Sequence, residues 1–237
     1  MKKYNYKNIQ TNLTKSSSLT VKQMKIIDQN AMNYGIPVEL MMENAGKTIA
    51  VHVFQKFSKL EEKNITCISG WGNNGGGVIS AARHLTCFGA KVTIILLKSK
   101  KVMSAPSKFH LFITRRNKFI NVIYVNKNNS KKISSIIENS DIIIDGIFGT
   151  GVHSEIHDKV YSIISQMNKS KAYILSNDVP SGVNADTGIS ANISVNSDFV
   201  IALHKPKKGI INSKIKFKIA DIGIPPEIDF PSKGVIA

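Results

Sequence analysis

Apolar residues recur along this chain in two rhythms, and the alternation between them is its strongest signal. From residue 64 onward, short β-branched runs appear at 64–69, 91–97, 120–125, 141–145, 172–176 and 198–203. The second reads Lys91-Val92-Thr93-Ile94-Ile95-Leu96-Leu97. These runs are nearly continuous, the pattern of strands buried on both faces. Between several of them the apolar positions switch to helical spacing, at about 77–88, 130–138 and 156–168. Strands alternating with helices predict an α/β fold with a mostly parallel sheet covered on both sides. Two helices precede the first strand. Thr20 and Gln23 have the spacing of a capping box, and Met24, Ile27 and Met32 continue at helical intervals. Gly35 and Pro37 separate this helix from a second one carrying Leu40, Met41, Ala45, Ile49, Val53 and Phe54. A last strand is expected at 214–220, with Lys214, Lys216 and Lys218 on a solvated face and Ile215, Phe217 and Ile219 on the other. The chain shows no internal repeat and no linker. It reads as one domain over 19–237 behind a polar arm, 1–18.

In a parallel sheet, ligands bind beyond the carboxyl ends of the strands. Three such ends carry polar, turn-rich segments. The first is Gly70-Trp71-Gly72-Asn73-Asn74-Gly75-Gly76-Gly77, between a strand and a helix. Glycines there allow a tight turn, and the N–H groups of a helix start can face an anion. The others are Asp145-Gly146-Ile147-Phe148-Gly149-Thr150-Gly151 and Asn177-Asp178-Val179-Pro180-Ser181-Gly182. A lone Asp at a strand end is ordinarily a turn former or a cap. Two of them aimed at one phosphate-type loop need a cation or donors between them and the anion. Asn74, Asp145 and Ser181 offer hard oxygen ligands, suited to an alkali or alkaline-earth cation and not to zinc. His84 is read as structural, and His153, after the Gly-Thr-Gly turn, as able to reach a ligand.

Charge and composition change this picture little. The net charge of +16 admits a nucleic acid, an anionic surface or a phosphorylated ligand as partner. Its lysines are scattered, which favours a lysine-rich surface over a nucleic-acid interface. No apolar run is long enough to span a bilayer, and no apolar segment follows the basic start as in a secretory signal. Cys67 and Cys87 read as buried thiols of a reducing, cytoplasmic compartment.

Taken together, these motifs resemble the NAD(P)H-hydrate epimerases, the YjeF N-terminal domain family, from about Leu19 to Gly223. Leu40-Met41-Met42-Glu43-Asn44-Ala45-Gly46 is similar to the family's N-terminal helix motif, and Gly72-Asn73-Asn74-Gly75-Gly76 to its ligand loop, with Ala81-Ala82-Arg83-His84-Leu85 in register behind it. The segments 145–151 and 178–182 resemble its other two site motifs, while Lys205-Pro206 and Asp221-Ile222-Gly223 fit its C-terminal end. The resemblance implies a Rossmann-like three-layer α/β/α sandwich and a homodimer. It implies epimerisation at C6 of hydrated NADH and NADPH, from the R to the S form, upstream of a separate dehydratase. It implies a potassium ion on Asn74, Asp145 and Ser181. Substrate contacts would come from Asn73, Asn74, Gly75, Gly76, Gly77, Gly149, Thr150, Gly151, Val152, His153, Ser154, Glu155 and Asp178, with Asp178 as the acid–base carboxylate. The family loop continues Asn-Asn-Gly-Gly-Asp-Gly, whereas this chain has Gly77 and Val78 at the last two places. That departure keeps open a second reading, a domain of this family that has lost catalysis and serves as a binding or scaffold module, with RNA as one candidate partner.

Overall fold

The computed structural model describes residues 18–98, 102–151 and 155–229. The arm expected at 1–18 therefore falls almost wholly outside the described residues, as do Val152, His153 and Ser154. Seven parallel strands form one sheet: β1 (Asn64–Ser69), β2 (Lys91–Leu96), β3 (Ile120–Tyr124), β4 (Ile142–Gly146), β5 (Tyr173–Asn177), β6 (Phe199–Leu203) and β7 (Phe217–Ala220). Their spatial order is β3-β2-β1-β4-β5-β6-β7. The order reverses between β1 and β4, where Ile65 pairs with Ile142 and Ser69 with Gly146. The crevice at such a reversal is where open α/β sheets take ligands.

The helices are α1 (Val21–Asn33), α2 (Val38–Phe57), α3 (Asn73–Thr86), α4 (Ala105–Thr114), α5 (Ser130–Glu138), α6 (Asp158–Lys169) and the short α7 (Lys208–Asn212). Alternate residues of each strand feed opposite faces. Cys67 and Ile144 join the core shared with α1, α2, α3 and α4. Ile68 and Ile143 join the core under α5 and α6, with Ile133, Ile137, Ile163 and Ile164. Both faces are dry, which explains why the strands read as apolar runs.

Thr20 caps α1 with a full capping box: its hydroxyl accepts from the Gln23 N–H, and the Gln23 side chain accepts from the Thr20 N–H. Gly35, at φ +99°, makes the turn into α2. Leu40 and Phe54 remain exposed on the solvent side of α2, and Phe54 stacks on Phe88 at 4.6 Å.

Four sequence expectations need correction. The helix after the glycine-rich segment begins at Asn73, with Gly72 as N-cap, so residues 73–77 are helix and not loop. Asn177, expected just beyond its strand, is the last residue of β5. The last strand covers only 217–220, because its partner β6 begins at Phe199 and pairs no earlier than Val200 with Phe217. Cys67 is buried but Cys87, just past the end of α3, is exposed. In addition, α4 has no counterpart in the apolar pattern. It buries Ser107, His110, Leu111 and Thr114 while leaving Phe109, Phe112 and Ile113 exposed. Its inner face is polar because it serves backbone acceptors: the Ser107 hydroxyl donates to Gly72 O at 2.9 Å, and the Thr114 hydroxyl to Ile79 O at 3.4 Å.

Candidate active site

The ends of β1, β4 and β5 open into a cavity of about 1470 Å³. That exceeds the usual pocket for a drug-sized ligand, roughly 300–1,000 Å³, and gives room for a dinucleotide. One wall is the start of α3, with Gly72, Asn73, Asn74 and Gly77. Gly72 caps the helix without a side-chain bond, so the first-turn N–H groups look for an outside acceptor. The glycines behind them serve packing. A Cβ on Gly75 would come within 2.6 Å of Ser69 Oγ, and one on Gly76 within 2.6 Å of Met42 Sδ. Gly75 and Gly76 thus let α3 start tight against β1 and α2, and they are absent from the cavity wall. At Gly77 a Cβ would sit 2.8 Å from Asn177 Nδ2. The Asn177 side chain fills the place next to this glycine. Its amide donates to Asn74 O at 3.1 Å, while its Oδ1 is buried and without a partner among the described residues.

Behind this wall lies Asp145, fully buried. Its Oδ1 accepts from the Ser181 hydroxyl at 2.6 Å and from Ile147 N–H at 3.1 Å. Its Oδ2 accepts from the Ser176 hydroxyl at 2.8 Å and from Ser181 N–H at 2.9 Å. Burial pushes this carboxyl above the usual range, against those hydrogen bonds, which pull it down. The Asn74 amide donates to Phe148 O at 2.6 Å, and Phe148 N–H donates to Ser181 Oγ at 2.9 Å. Asn74, Asp145, Phe148 and Ser181 therefore form one connected polar cluster, as the three strand-end motifs led one to expect. Gly149, Thr150, Gly151 and Glu155 line the cavity farther out.

Asp178 stands apart from that cluster. It follows β5 at φ +67°, in the left-handed region. Its Oδ1 receives the Lys207 ammonium and, at 3.1 Å, the Leu203 N–H. Lys207 is 1% exposed and also donates to Leu203 O at 3.1 Å. The ion pair is held by backbone on both sides, and both residues border the cavity.

A profile of the family described as YjeF-related protein N-terminus matches residues 38–209. The chain belongs to this family. Within it, the chain is 34% identical over 215 residues to the NAD(P)H-hydrate epimerase of Nitrosopumilus maritimus, covering 89% of this chain and 97% of that one. It is 32% identical over 222 residues to the NAD(P)H-hydrate epimerase of Cenarchaeum symbiosum, covering 92% and 99% respectively. A bifunctional NAD(P)H-hydrate repair enzyme of Archaeoglobus fulgidus matches at 33% identity over 87% of this chain but only 42% of its own length. Among solved structures, the yeast protein YNL200c superposes with a TM-score of 0.78 at 24% identity, covering 90% of this chain and 91% of that one. The sandwich is the fold of this YjeF-related domain.

Sequence reasoning missed several cavity residues of the domain. Trp71 and Phe148 meet edge to face at 5.5 Å, and the Lys98 ammonium lies 4.1 Å from the Trp71 ring centre. Lys207 was hidden among scattered lysines. Asp28 comes from α1, outside every strand-end segment of the sequence. Its one sequence signal is that it falls four residues after Met24 and four before Met32, on a side that otherwise repeats methionine. His84 is structural: its Nε2 lies 2.9 Å from Glu43, which also holds Arg83 and the Ser80 hydroxyl and so ties α2 to α3.

Proposed function

We propose that this chain is an NAD(P)H-hydrate epimerase. It would interconvert the R and S forms of NADH and NADPH hydrated at C6. The observation that carries the reading is one cavity at the sheet's reversal point, sized for a dinucleotide, in which a helix N-terminus shares the wall with the Asp178–Lys207 pair. Full-length similarity to two proteins named for this activity supports it. The same reading takes the chain as a homodimer working beside a separate dehydratase.

The chemistry asked of the cavity is modest. The C6 hydroxyl neighbours the ring nitrogen. Once that hydroxyl is protonated, water leaves and nitrogen stabilises the cation. Water then adds to the other face. The chain must hold the dinucleotide still, supply and remove a proton, and keep the cation from other fates. First-turn N–H groups of α3 would take the phosphates. Asn177 Oδ1, buried and without a partner among the described residues, is an acceptor offered to a ligand donor. Asp178, paired with Lys207, would receive the proton shed by the adding water.

A potassium ion fits the cluster around Asp145 by its donor chemistry. Among the described residues no three His, Cys, Asp or Glu side chains gather to hold a metal. The cluster instead offers one carboxylate with amide, hydroxyl and carbonyl oxygens, hard donors of low total charge suited to a monovalent ion. Asn74, Asp145 and Ser181, with Phe148 O, would hold it. When bound, it would offset the buried carboxylate charge and draw phosphate oxygens to this wall.

The test is direct. The protein is mixed with purified R-hydrate of NADH in potassium and in sodium buffer, and the S form is followed by chromatography. Conversion well above the spontaneous rate is expected, faster in potassium. Conversion at the spontaneous rate overturns the reading. An Asp178→Asn variant is expected to lose activity by about 10²-fold or more; an undiminished rate defeats that assignment.

A further inference from the structure

We propose that Asp28 is the group that donates the proton to the departing C6 hydroxyl, an assignment that rests on the epimerase reading. Helix α1 belongs to none of the strand-end motifs. Met24, Asp28 and Met32 face the cavity at intervals of four residues, with Lys25 beside them, so Asp28 is the one carboxyl this helix presents to it. Val21, Met24, Ile27 and Ala31 anchor the helix in the core. The chain entering α1 is bound to the segment that carries Lys207. Leu19 N–H donates to Pro206 O at 3.0 Å, and Lys208 N–H donates to Leu19 O at 3.1 Å. Val21 N–H is fixed by Asp186 Oδ1 at 2.7 Å. Asp28 and the Asp178–Lys207 pair are thus delivered to one cavity by two backbone segments that are hydrogen-bonded to each other.

The other cavity carboxylates are engaged elsewhere. Asp178 is committed to Lys207 and the Leu203 N–H. Glu155 is 74% exposed in its side chain and faces His157. Asp158 is exposed at the first position of α6. Asp28 is half-buried, and the chief influences on it are burial and the charges of Lys207 and Asp178. Burial dominates and, helped by Asp178 and opposed by Lys207, pushes the carboxyl up to about 6. The remaining charged groups bordering the cavity are Lys25 on α1, Lys98 after β2, and His157 and Lys159 at the start of α6. A carboxyl poised near neutrality can both give a proton and take it back, as an acid catalyst at working pH must.

The step balances. The Asp28 O–H passes its proton to the C6 hydroxyl oxygen. The C6–O bond breaks, its electron pair leaves with water, and the ring-nitrogen lone pair forms the C6–N double bond. Water adds to the opposite face, the double-bond pair returns to nitrogen, and the shed proton goes to Asp178. Cavity water returns it to Asp28. Nothing is oxidised or reduced, and one water is lost and one regained.

The experiment compares wild type, Asp28→Asn and Asp28→Glu on the R-hydrate of NADH across pH 5–9, with the spontaneous rate subtracted. NADP⁺, which carries no C6 hydroxyl, reports binding by calorimetry. Asp28→Asn is expected to lose about 10²-fold or more in kcat, keep NADP⁺ affinity within about twofold, and lose the fall in activity above about pH 6 set by the wild-type acid. Asp28→Glu should restore part of the rate. An Asp28→Asn enzyme with wild-type kcat and the same pH limb overturns the assignment. Should that variant fail to fold, carbon NMR of the wild type decides: a carboxyl that titrates in the ordinary range, at about 4, overturns the assignment, and one near 6 supports it. A wild-type enzyme that leaves the hydrate unchanged defeats the epimerase reading and this one with it; an active wild type with an equally active Asp28→Asn defeats only this one.

Discussion

At the scale of single residues, the cavity is built from groups that are costly to keep in place. Asp28 has a raised carboxyl, so the folded state binds its proton more tightly than the unfolded state does. The sign follows from linkage: this group's contribution is most favourable below the unfolded value of 3.8 and is lost as pH rises through about 6. At pH 8 the ionised Asp28 therefore destabilises the fold, by about 1–2 kcal/mol after allowing for its partial exposure. Asp28→Asn should melt higher than wild type at pH 8 and show no advantage at pH 4, read by calorimetry at both. A variant that is inactive yet more stable is the mark of a residue kept for chemistry. Lys207 predicts the reverse. Its ammonium is buried on Asp178 and Leu203 O. Lys207→Met leaves Asp178 buried without its cation and should cost about 3–5 kcal/mol. Adding Asp178→Asn should recover part of that loss, because the double variant has no stranded charge. Urea denaturation of the four proteins gives the coupling, and strictly additive losses would contradict the pairing.

At the scale of elements, the closest approaches are made by glycine. A Cβ on Gly46 of α2 would lie 2.6 Å from Ala81 N of α3, a backbone atom that cannot move without the helix. Gly46→Ala should cost about 2–3 kcal/mol by forcing the two helices apart, measured as a shift in the urea midpoint at unchanged slope. Gly77 behaves differently, since its Cβ would crowd the amide end of Asn177 at 2.8 Å and otherwise meet Ala45 Cβ at an ordinary 3.8 Å. Placing an aspartate at position 77 should destabilise the chain alone but be tolerated when Asn177 is cut to Ser, a pair whose melting shifts should not add. These packing roles explain what the sequence concealed. The alternation of rhythms located six strands and both leading helices, because buried parallel strands and capped helices leave strong periodic marks. The glycine run was legible as a site but not as helix, since glycine carries no periodicity and its use here is close packing behind the first turn. Helix α4 was invisible because its buried face is Ser107, His110 and Thr114 while its phenylalanines face water. Asn74, Asp145 and Ser181 were readable from strand ends, whereas Asp28 arrives on a helix whose docking depends on backbone bonds at Leu19 that no side-chain pattern records.

At the scale of the whole molecule, two distributions matter: the strand order and the charge. The order β3-β2-β1-β4-β5-β6-β7 brings loops separated by about a hundred residues to one edge, which is why three unrelated-looking motifs converge. The charge does not converge in the same way. Within the cavity Lys25, Lys98, Lys159 and Lys207 are matched by Asp28, Glu155, Asp158 and Asp178. Among the described residues the positive excess therefore lies outside the cavity. A balanced cavity inside a strongly positive surface should attract a dinucleotide anion over distance without binding it much more tightly once it is seated. The two effects separate by ionic strength, because the surface field is screened within about 10 Å at 0.1 M salt while groups inside the cavity are shielded from it. With the hydrated dinucleotide as substrate and potassium held constant, raising tetramethylammonium chloride from low to physiological strength should lower kcat/KM by about three- to tenfold, as steering is lost, and leave kcat unchanged. Fast-mixing measurements of NADP⁺ binding should place the change in the association rate and not in the dissociation rate. An equal fall in kcat would mean that salt reaches the Asp178–Lys207 pair itself, and a flat kcat/KM would mean that the positive surface takes no part in capturing the substrate.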